Sequence, residues 1–331
     1  YGGRSSSVID VRMREGNSKE RERSAGLGLI ASKVLLEGPL KKKEGSYLVS
    51  GRFGYPGVVA GLLGSNLTSK PQMWFYDVNA KVNRTLDARN RMFFSLYSGG
   101  DHTVFNKLVK GYGMDWGNAT ATIRWNHILN DKTNVNTSAV FSNYYYKYKS
   151  LSDGLRYVWK SNMQSYQLKS DWERYQNNLL TLKGGVNLHY FTTMPGEVGK
   201  SGKDSNITPS QMPRKSLWDA ALYAEANYKF LPHFLLNAGG RLSVLHAPAS
   251  AYYAAKTFVM PEPRAELSFI PNASHRFSAS YTQAAQSIHM LTTSSVGIPS
   301  DMWMPANALL KPSVMRQLAL GYEYNFPDKE Y

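Results

Sequence analysis

Eight charged residues recur at alternate positions within runs that otherwise switch between apolar and polar: Arg52, Asp77, Lys81, Arg124, Lys183, Glu225, Arg241 and Glu266. Side chains of a strand point to opposite faces in turn, so all eight are expected on one wetted face. Charges in such a place need water or partners. The chemistry they offer is recognition, not bond breaking. They can pair with one another, with an inserted segment or with a ligand. A hydrated wall of mutual ion pairs is the plain expectation for any one of them.

The other reactive side chains assemble no catalytic set. The seven histidines form no His-Glu-x-x-His element and no close pair at ligand spacing. His127, His233 and His275 fall at strand ends or turns, and His189 falls on a polar strand face. No Gly-x-Ser-x-Gly elbow is present. Cysteine is absent, which excludes disulfides, thiolate metal sites and cysteine nucleophiles from the 331 residues. The stretch Gly26-Leu27-Gly28-Leu29-Ile30-Ala31 matches the bare glycine spacing of a dinucleotide site. That chemistry needs a strand before the glycines and a helix after them. Here a charged run precedes and an alternating strand follows, so the glycines are assigned to a strand. No enzyme, metal or cofactor is expected.

Charge narrows the partners. Lys and Arg number 39 against 24 Asp and Glu, a net +15. These basic residues are scattered, and Lys41-Lys42-Lys43 is the one tight cluster. A nucleic-acid binder gathers them on a face or helix, so nucleic acid is not an expected partner. Aromatic residues make up 13% of the chain, with 22 Tyr and 7 Trp. Tyr and Trp favour membrane–water interfaces. No apolar run reaches the ~20 residues of a spanning helix.

The elements that carry these residues are strands. In Trp74-Phe75-Tyr76-Asp77-Val78-Asn79-Ala80-Lys81-Val82-Asn83, one face holds Trp74, Tyr76, Val78, Ala80 and Val82, and the other is mostly polar. A first long strand is expected from Gly26 to Glu37 and a second from Tyr47 to Tyr55. Hairpins are expected at Trp74–Asn83 with Met92–Ser98, Asn118–Asn126 with Asn136–Tyr146, and Met163–Trp172 with Leu180–His189. Two more join Ala220–Tyr228 to Leu235–Val244 and Arg264–Phe269 to Arg276–Thr282. A last strand, Met315–Tyr324, is left without a partner. Short turns alternate with longer connections at Gly100–Asp115, Lys149–Asn162, Thr192–Lys215 and Ser287–Lys311. Tyr112, Trp116 and Trp303 fall in the longer connections and are candidates to meet a ligand. Apolar-out, polar-in strands with short turns on one rim and long loops on the other fit an outer-membrane β-barrel. The expected class is therefore all-β, a partial transmembrane antiparallel barrel of about thirteen strands that forms an open trough on its own. The sequence opens on Tyr1 and stops after a turn-like Phe326-Pro327-Asp328-Lys329, so it reads as an internal stretch of a longer protein.

Several segments resemble the TonB-dependent outer-membrane receptors, in the type found in Bacteroidota. Tyr1-Gly2-Gly3-Arg4-Ser5-Ser6-Ser7-Val8-Ile9-Asp10-Val11 resembles the closing strand of their plug domain. Glu37-Gly38-Pro39-Leu40 with Ser46-Tyr47-Leu48-Val49-Ser50-Gly51-Arg52 resembles the first barrel hairpin, and Phe75-Tyr76-Asp77-Val78-Asn79-Ala80-Lys81 resembles the third strand. Pro261-Glu262-Pro263-Arg264, Tyr281 with Gln286, and Met302-Trp303-Met304-Pro305 followed by Lys311-Pro312 resemble later segments. The resemblance implies residues 1–13 as the end of a plug, 14–23 as a linker and 24–331 as part of a twenty-two-stranded barrel. It implies active import of a scarce nutrient across the bacterial outer membrane, with energy delivered by the TonB complex through a segment outside this sequence. The ligand is not named by it. The longer glycan-importing members pair with a surface lipoprotein, which leaves that partner open here. Outer-membrane lipid would surround the wall. The alternative on the same strand pattern is a passive porin-like or adhesin barrel.

Overall fold

A computed structural model describes all residues except 1, 4, 6–10, 42–43, 64–71, 107–110, 153–154, 202–204, 292–301 and 327–331. Alternating residues without helix periodicity give strands almost throughout. The chain runs β1 (Glu22–Leu27), β2 (Ala31–Pro39), β3 (Gly45–Gly54), α1 (Pro56–Leu63), β4 (Gln72–Thr85), β5 (Asn90–Asn106), β6 (Gly111–Asn130), β7 (Thr133–Ser152), β8 (Leu155–Asn177) and β9 (Leu180–Lys200). It continues through β10 (Ser210–Gln211), β11 (Lys215–Leu231), β12 (Phe234–Ala247), β13 (Lys256–Phe269), β14 (His275–Gln286), β15 (Ile288–Leu291), β16 (Met302–Pro305) and β17 (Ser313–Tyr324). One antiparallel sheet follows chain order from β1 to β14 and ends on β17, with β10 beside β9; β15 and β16 form a separate pair. Strands β1 and β17 are its two edges, so the wall is open and not a closed barrel.

The register sorts the side chains. Val78 faces Ser98 and Gly51, whereas Asp77 faces Arg52 and Gly99. Followed strand to strand, one face carries Val82, Phe94, Ile123, Phe141, Tyr166, Leu188 and Trp218, and the other carries the polar set. Large apolar residues of the first face are open to the surroundings, Leu168 at 51% and Leu222 at 62%. From β5 to β13 that face has no Asp, Glu, Lys or Arg between the short-turn rim and the level of Asp115, Lys147, Lys160 and Glu197. On β8 the uncharged stretch runs from Arg174 to Lys160, about 48 Å along the strand and about 34 Å along a normal at a 45° tilt. That matches the ~30 Å hydrocarbon layer. Rings collect at both ends of this band. Phe230, Phe234, Phe269, Phe277 and Tyr322 are in serial contact near the short turns. Phe53, Trp74 and Tyr76 do the same at the other end, and Tyr166, Tyr190 and Trp218 form a further row of rings within the band.

Several expectations change. The single strand from Gly26 to Glu37 is a hairpin, with Gly28 N–H bonded to the Ala31 carbonyl at 3.0 Å. Gly28 is in this turn, whereas Gly26 is in β1 opposite Lys33. Last strand β17 is not partnerless, since it pairs with β14 from His275↔Tyr324 to Gln286↔Ser313. The connections Gly100–Asp115 and Lys149–Asn162 are mostly strand, because β5–β9 extend past the apolar band. There the outer face meets headgroups and water, so the apolar alternation lapses while pairing continues. Helix α1 was not expected. Its opening Pro56 suits the first helical position, where no N–H is needed. The segment 1–11 that resembles a plug strand lies mostly outside the described residues.

Candidate functional site on the polar face

Residues 11–21 have no regular structure and lie against the polar face near the short-turn rim. Arg14 grips Glu37 of β2 with two bonds, Nη1 to Oε2 at 2.8 Å and Nη2 to Oε1 at 2.6 Å. The backbone N–H of Asn17 also donates to Glu37 Oε2, at 2.9 Å. Lys81 of β4 donates to the Met13 carbonyl at 2.7 Å and pairs with Glu15 at the same distance. Asn83 bonds Glu15 and, at 2.7 Å, Ser46. Gly16 passes so close to β3 that a Cβ there would sit 2.1 Å from the Tyr47 carbonyl oxygen. Only glycine fits that approach.

A second anchor lies at least eight strands away along the sheet and nearer the long-loop rim. Gly3 N–H donates to Glu262 Oε2 of β13 at 3.1 Å, and Ser5 bonds Gln286 of β14 through its N–H at 3.2 Å and its hydroxyl at 2.7 Å. Gly3 has φ of 77°, a left-handed conformation that suits glycine. Glu262 belongs to a buried acidic set. Arg241 of β12 stands between it, at 3.3 Å, and Asp219 of β11, at 3.6 Å. Ser243 joins Arg241 to Glu262 with two 2.9 Å bonds. From Ser5 to Arg14 the chain can span at most about 30 Å. The N-terminal segment is thus tied to β13–β14 through Gly3 and Ser5 and to β2–β4 through residues 13–17.

The register places all eight charged candidates on this face, but not in one cluster. Arg52 pairs with Asp77 at 2.6 Å, Lys183 with Glu173 at 3.2 Å, Glu225 with Arg264 at 3.9 Å and Glu266 with Arg276 at 2.8 Å. Arg124 lies over the Phe93 ring at 4.4 Å. Four of these contacts knit neighbouring strands, and Glu225–Arg264 reaches across β12. Among the described residues, Lys81 and Arg241 are the two of the eight that meet the N-terminal anchors. The partners Glu37, Asn83, Asp219, Glu262 and Gln286 were not among the candidates. Parity could have put each on the polar face, but nothing local shows that a segment hundreds of positions away reaches Gln286.

Tyr112 and Trp116 are in β6 and not in a loop. They share the polar face with Tyr144, Tyr146 and Tyr148 of β7. Tyr148 contacts the Tyr157 ring at 5.9 Å, and Phe105 contacts Tyr112 at 5.1 Å. The result is an aromatic wall above the hydrocarbon level. Trp303 is in the small β15–β16 hairpin, where it faces Met290. That hairpin departs from β14 and lies against β9 and β11. Below it Leu217, Leu245 and Ala247 form a buried apolar cluster with Phe258 and Met260. No group of His, Asp and Glu among the described residues could hold a metal ion.

An open antiparallel wall with an uncharged outer band and a polar inner face defines a piece of a membrane-spanning β-barrel. Residues 61–330 match the family profile described as TonB dependent receptor-like, beta-barrel, and the chain belongs to that family of outer-membrane proteins. No curated protein matches the chain by sequence. Among solved structures it is similar to the ferripyoverdine receptor of the outer membrane of Pseudomonas aeruginosa, with TM-score 0.70, 12% identity, and 95% of this chain and 48% of that one covered. It is also similar to BauA, the ferric preacinetobactin receptor from Acinetobacter baumannii, with TM-score 0.67, 12% identity, and 93% and 53% covered. The ferric-catecholate import receptor Fiu from E. coli K12 gives TM-score 0.66, 12% identity, and 96% and 57% covered. The chain spans about half the length of these proteins, and at such identity the likeness is one of fold.

Proposed function

We propose that this chain is the wall, and the last part of the gate, of a TonB-dependent importer of a scarce nutrient. Residues 1–13 are the end of a plug, 14–23 the linker, and 24–331 part of a barrel that further strands would close. Open edges such as β1 and β17 leave backbone groups unpaired, which hydrocarbon does not tolerate. The observation that carries the reading is the two-ended attachment of the N-terminal segment to the polar face. Arg14–Glu37 and Glu15–Lys81 hold one end, and Glu262 and Gln286 hold the other. A wide wetted passage leaks unless filled, and such contacts are strong enough to fill it and exchangeable enough to be rearranged. The aromatic wall of Tyr112, Trp116, Tyr146 and Tyr148 is the proposed first station of the ligand, with Trp303 on the hairpin that lies against β9 and β11 as a second. Arg52, Asp77, Arg124, Lys183, Glu225 and Glu266 line the passage through their strand-to-strand contacts. The three solved proteins are named as receptors for ferripyoverdine, ferric preacinetobactin and ferric catecholate, which fits a metal-chelate ligand; a Bacteroidota-type receptor working with a surface lipoprotein is a narrower form of the proposal.

Conductance of the full-length protein in planar lipid bilayers tests it. The wild type should stay closed, and Arg14→Ala with Glu15→Ala should open large channels. A wild type that conducts as a wide pore from the outset would instead be a passive porin.

A further inference from the structure

The outer face of the wall holds an open depression of about 890 Å³ across β5–β11. Ala121 and Ala139 leave room at its floor, and the rings of Phe94, Phe141, Tyr166 and Trp218 stand around it. Ile123, Leu168 and Leu188 close its foot, toward the short-turn rim. Its head is polar, formed by Gln164, Thr192 and Arg214. No acidic group lines it. The depression is therefore graded along the membrane normal, apolar in the band and cationic at its upper end.

The charged level above repeats this sign. On the outer face Lys147 pairs with Asp115 at 3.9 Å, and Lys160 with Glu197 at 3.0 Å. Lys149 lies one step further, its stem 3.6 Å from the Cβ position of Gly113. Arg214 is exposed and has no hydrogen-bond or ion-pair partner among the described residues. Two carboxylates and three lysines thus stand above the depression, with Arg214 at its head. An apolar trench under a cationic rim matches one kind of neighbour, a lipid with a phosphorylated headgroup.

We propose that this depression binds a phosphorylated lipid of the outer leaflet, with an acyl chain along Ala121, Ala139 and Leu168 and a phosphate at Arg214. The site is outside the passage and independent of what passes through it.

Native mass spectrometry of the full-length protein in detergent, with lipid A as the probe, tests the assignment. Lipid A should be retained, and its dephosphorylated form should be retained at least tenfold less. Arg214→Glu should lower lipid A retention about tenfold, and Arg214→Lys should keep it. Ala139→Trp, which fills the floor, should lower retention of both forms while the barrel keeps its heat-resistant gel mobility. Equal retention of both forms, unchanged retention in Arg214→Glu, or a second copy of the chain in place of lipid would each overturn the proposal.

Discussion

Arg14 and Glu37 meet fork to fork although they differ sharply in setting: the Arg14 side chain is 58% exposed and that of Glu37 is 2% exposed. Glu37 is fixed on the wall with its oxygens aimed at the segment, and Arg14 arrives from outside the sheet. The pair is therefore a latch whose fixed half is preorganised. Paired bonds of this geometry are stronger and more directional than a single ion pair.

The latch should set how often the segment leaves the wall. Arg14→Ala should speed amide exchange at residues 13–17 roughly tenfold, by raising the population of the locally open state. Exchange in β8 and β9 should not change. Lys81 and Glu15 should couple: a double-mutant cycle with Lys81→Met and Glu15→Gln should give about 1–2 kcal/mol in the same opening equilibrium. Additivity of the two changes would remove Lys81 from the latch.

Arg241 separates two buried carboxylates, Asp219 and Glu262. Arg241→Met removes the cation that stands between them. Loss of one partner from such a buried set costs roughly 3–5 kcal/mol. Urea titration in detergent should show that loss, and a triple change to Arg241→Met, Asp219→Asn and Glu262→Gln should recover a good part of it. A loss below about 1 kcal/mol would mean that water reaches the set freely.

The assignment of faces makes a sharp comparison between neighbours. Ile123 is on the outer face of β6 at 51% exposure, and Thr122 is on the polar face opposite Ser95. Ile123→Arg should destabilise folding into bilayers by about 2–4 kcal/mol, as a cation near the hydrocarbon midplane does. Thr122→Arg should cost much less. Equal effects measured by reversible folding into lipid vesicles would mean that the faces are not those described.

Asp87 supplies the pH test, since it lies in the short turn between β4 and β5, outside the membrane. The Arg89 N–H at 2.7 Å, and then the Asn90 side-chain amide at 2.8 and 2.9 Å, hold its carboxyl below the usual carboxylate range. A group with a lowered folded pKa stabilises the folded turn above its unfolded value of about 3.9. That contribution disappears as pH falls through the folded value. Asp87→Ala should loosen the turn at neutral pH, read as faster exchange at Arg89 and Asn90. The difference from wild type should shrink as the medium is acidified below about pH 3–4. A difference that persists undiminished in acid would assign the effect to turn geometry and not to charge.

The alternation in Trp74–Asn83 was enough to tell which residues share a face, because a strand's period of two is a property of the backbone itself. The same period put Arg52, Asp77, Lys81, Arg124, Lys183, Glu225, Arg241 and Glu266 together. Two kinds of feature were not legible. Strands β5–β9 run on above the apolar band, through Tyr112 and Trp116, where the surroundings no longer demand an apolar face and the pattern that marks a strand fades. The other is contact across the trough. Glu37 meeting Arg14, Glu262 meeting Gly3 and Gln286 meeting Ser5 depend on the summed twist and curvature of a dozen strands. No local pattern encodes that sum, so only the tertiary structure decided which of many polar positions hold the segment and which merely bind their neighbours.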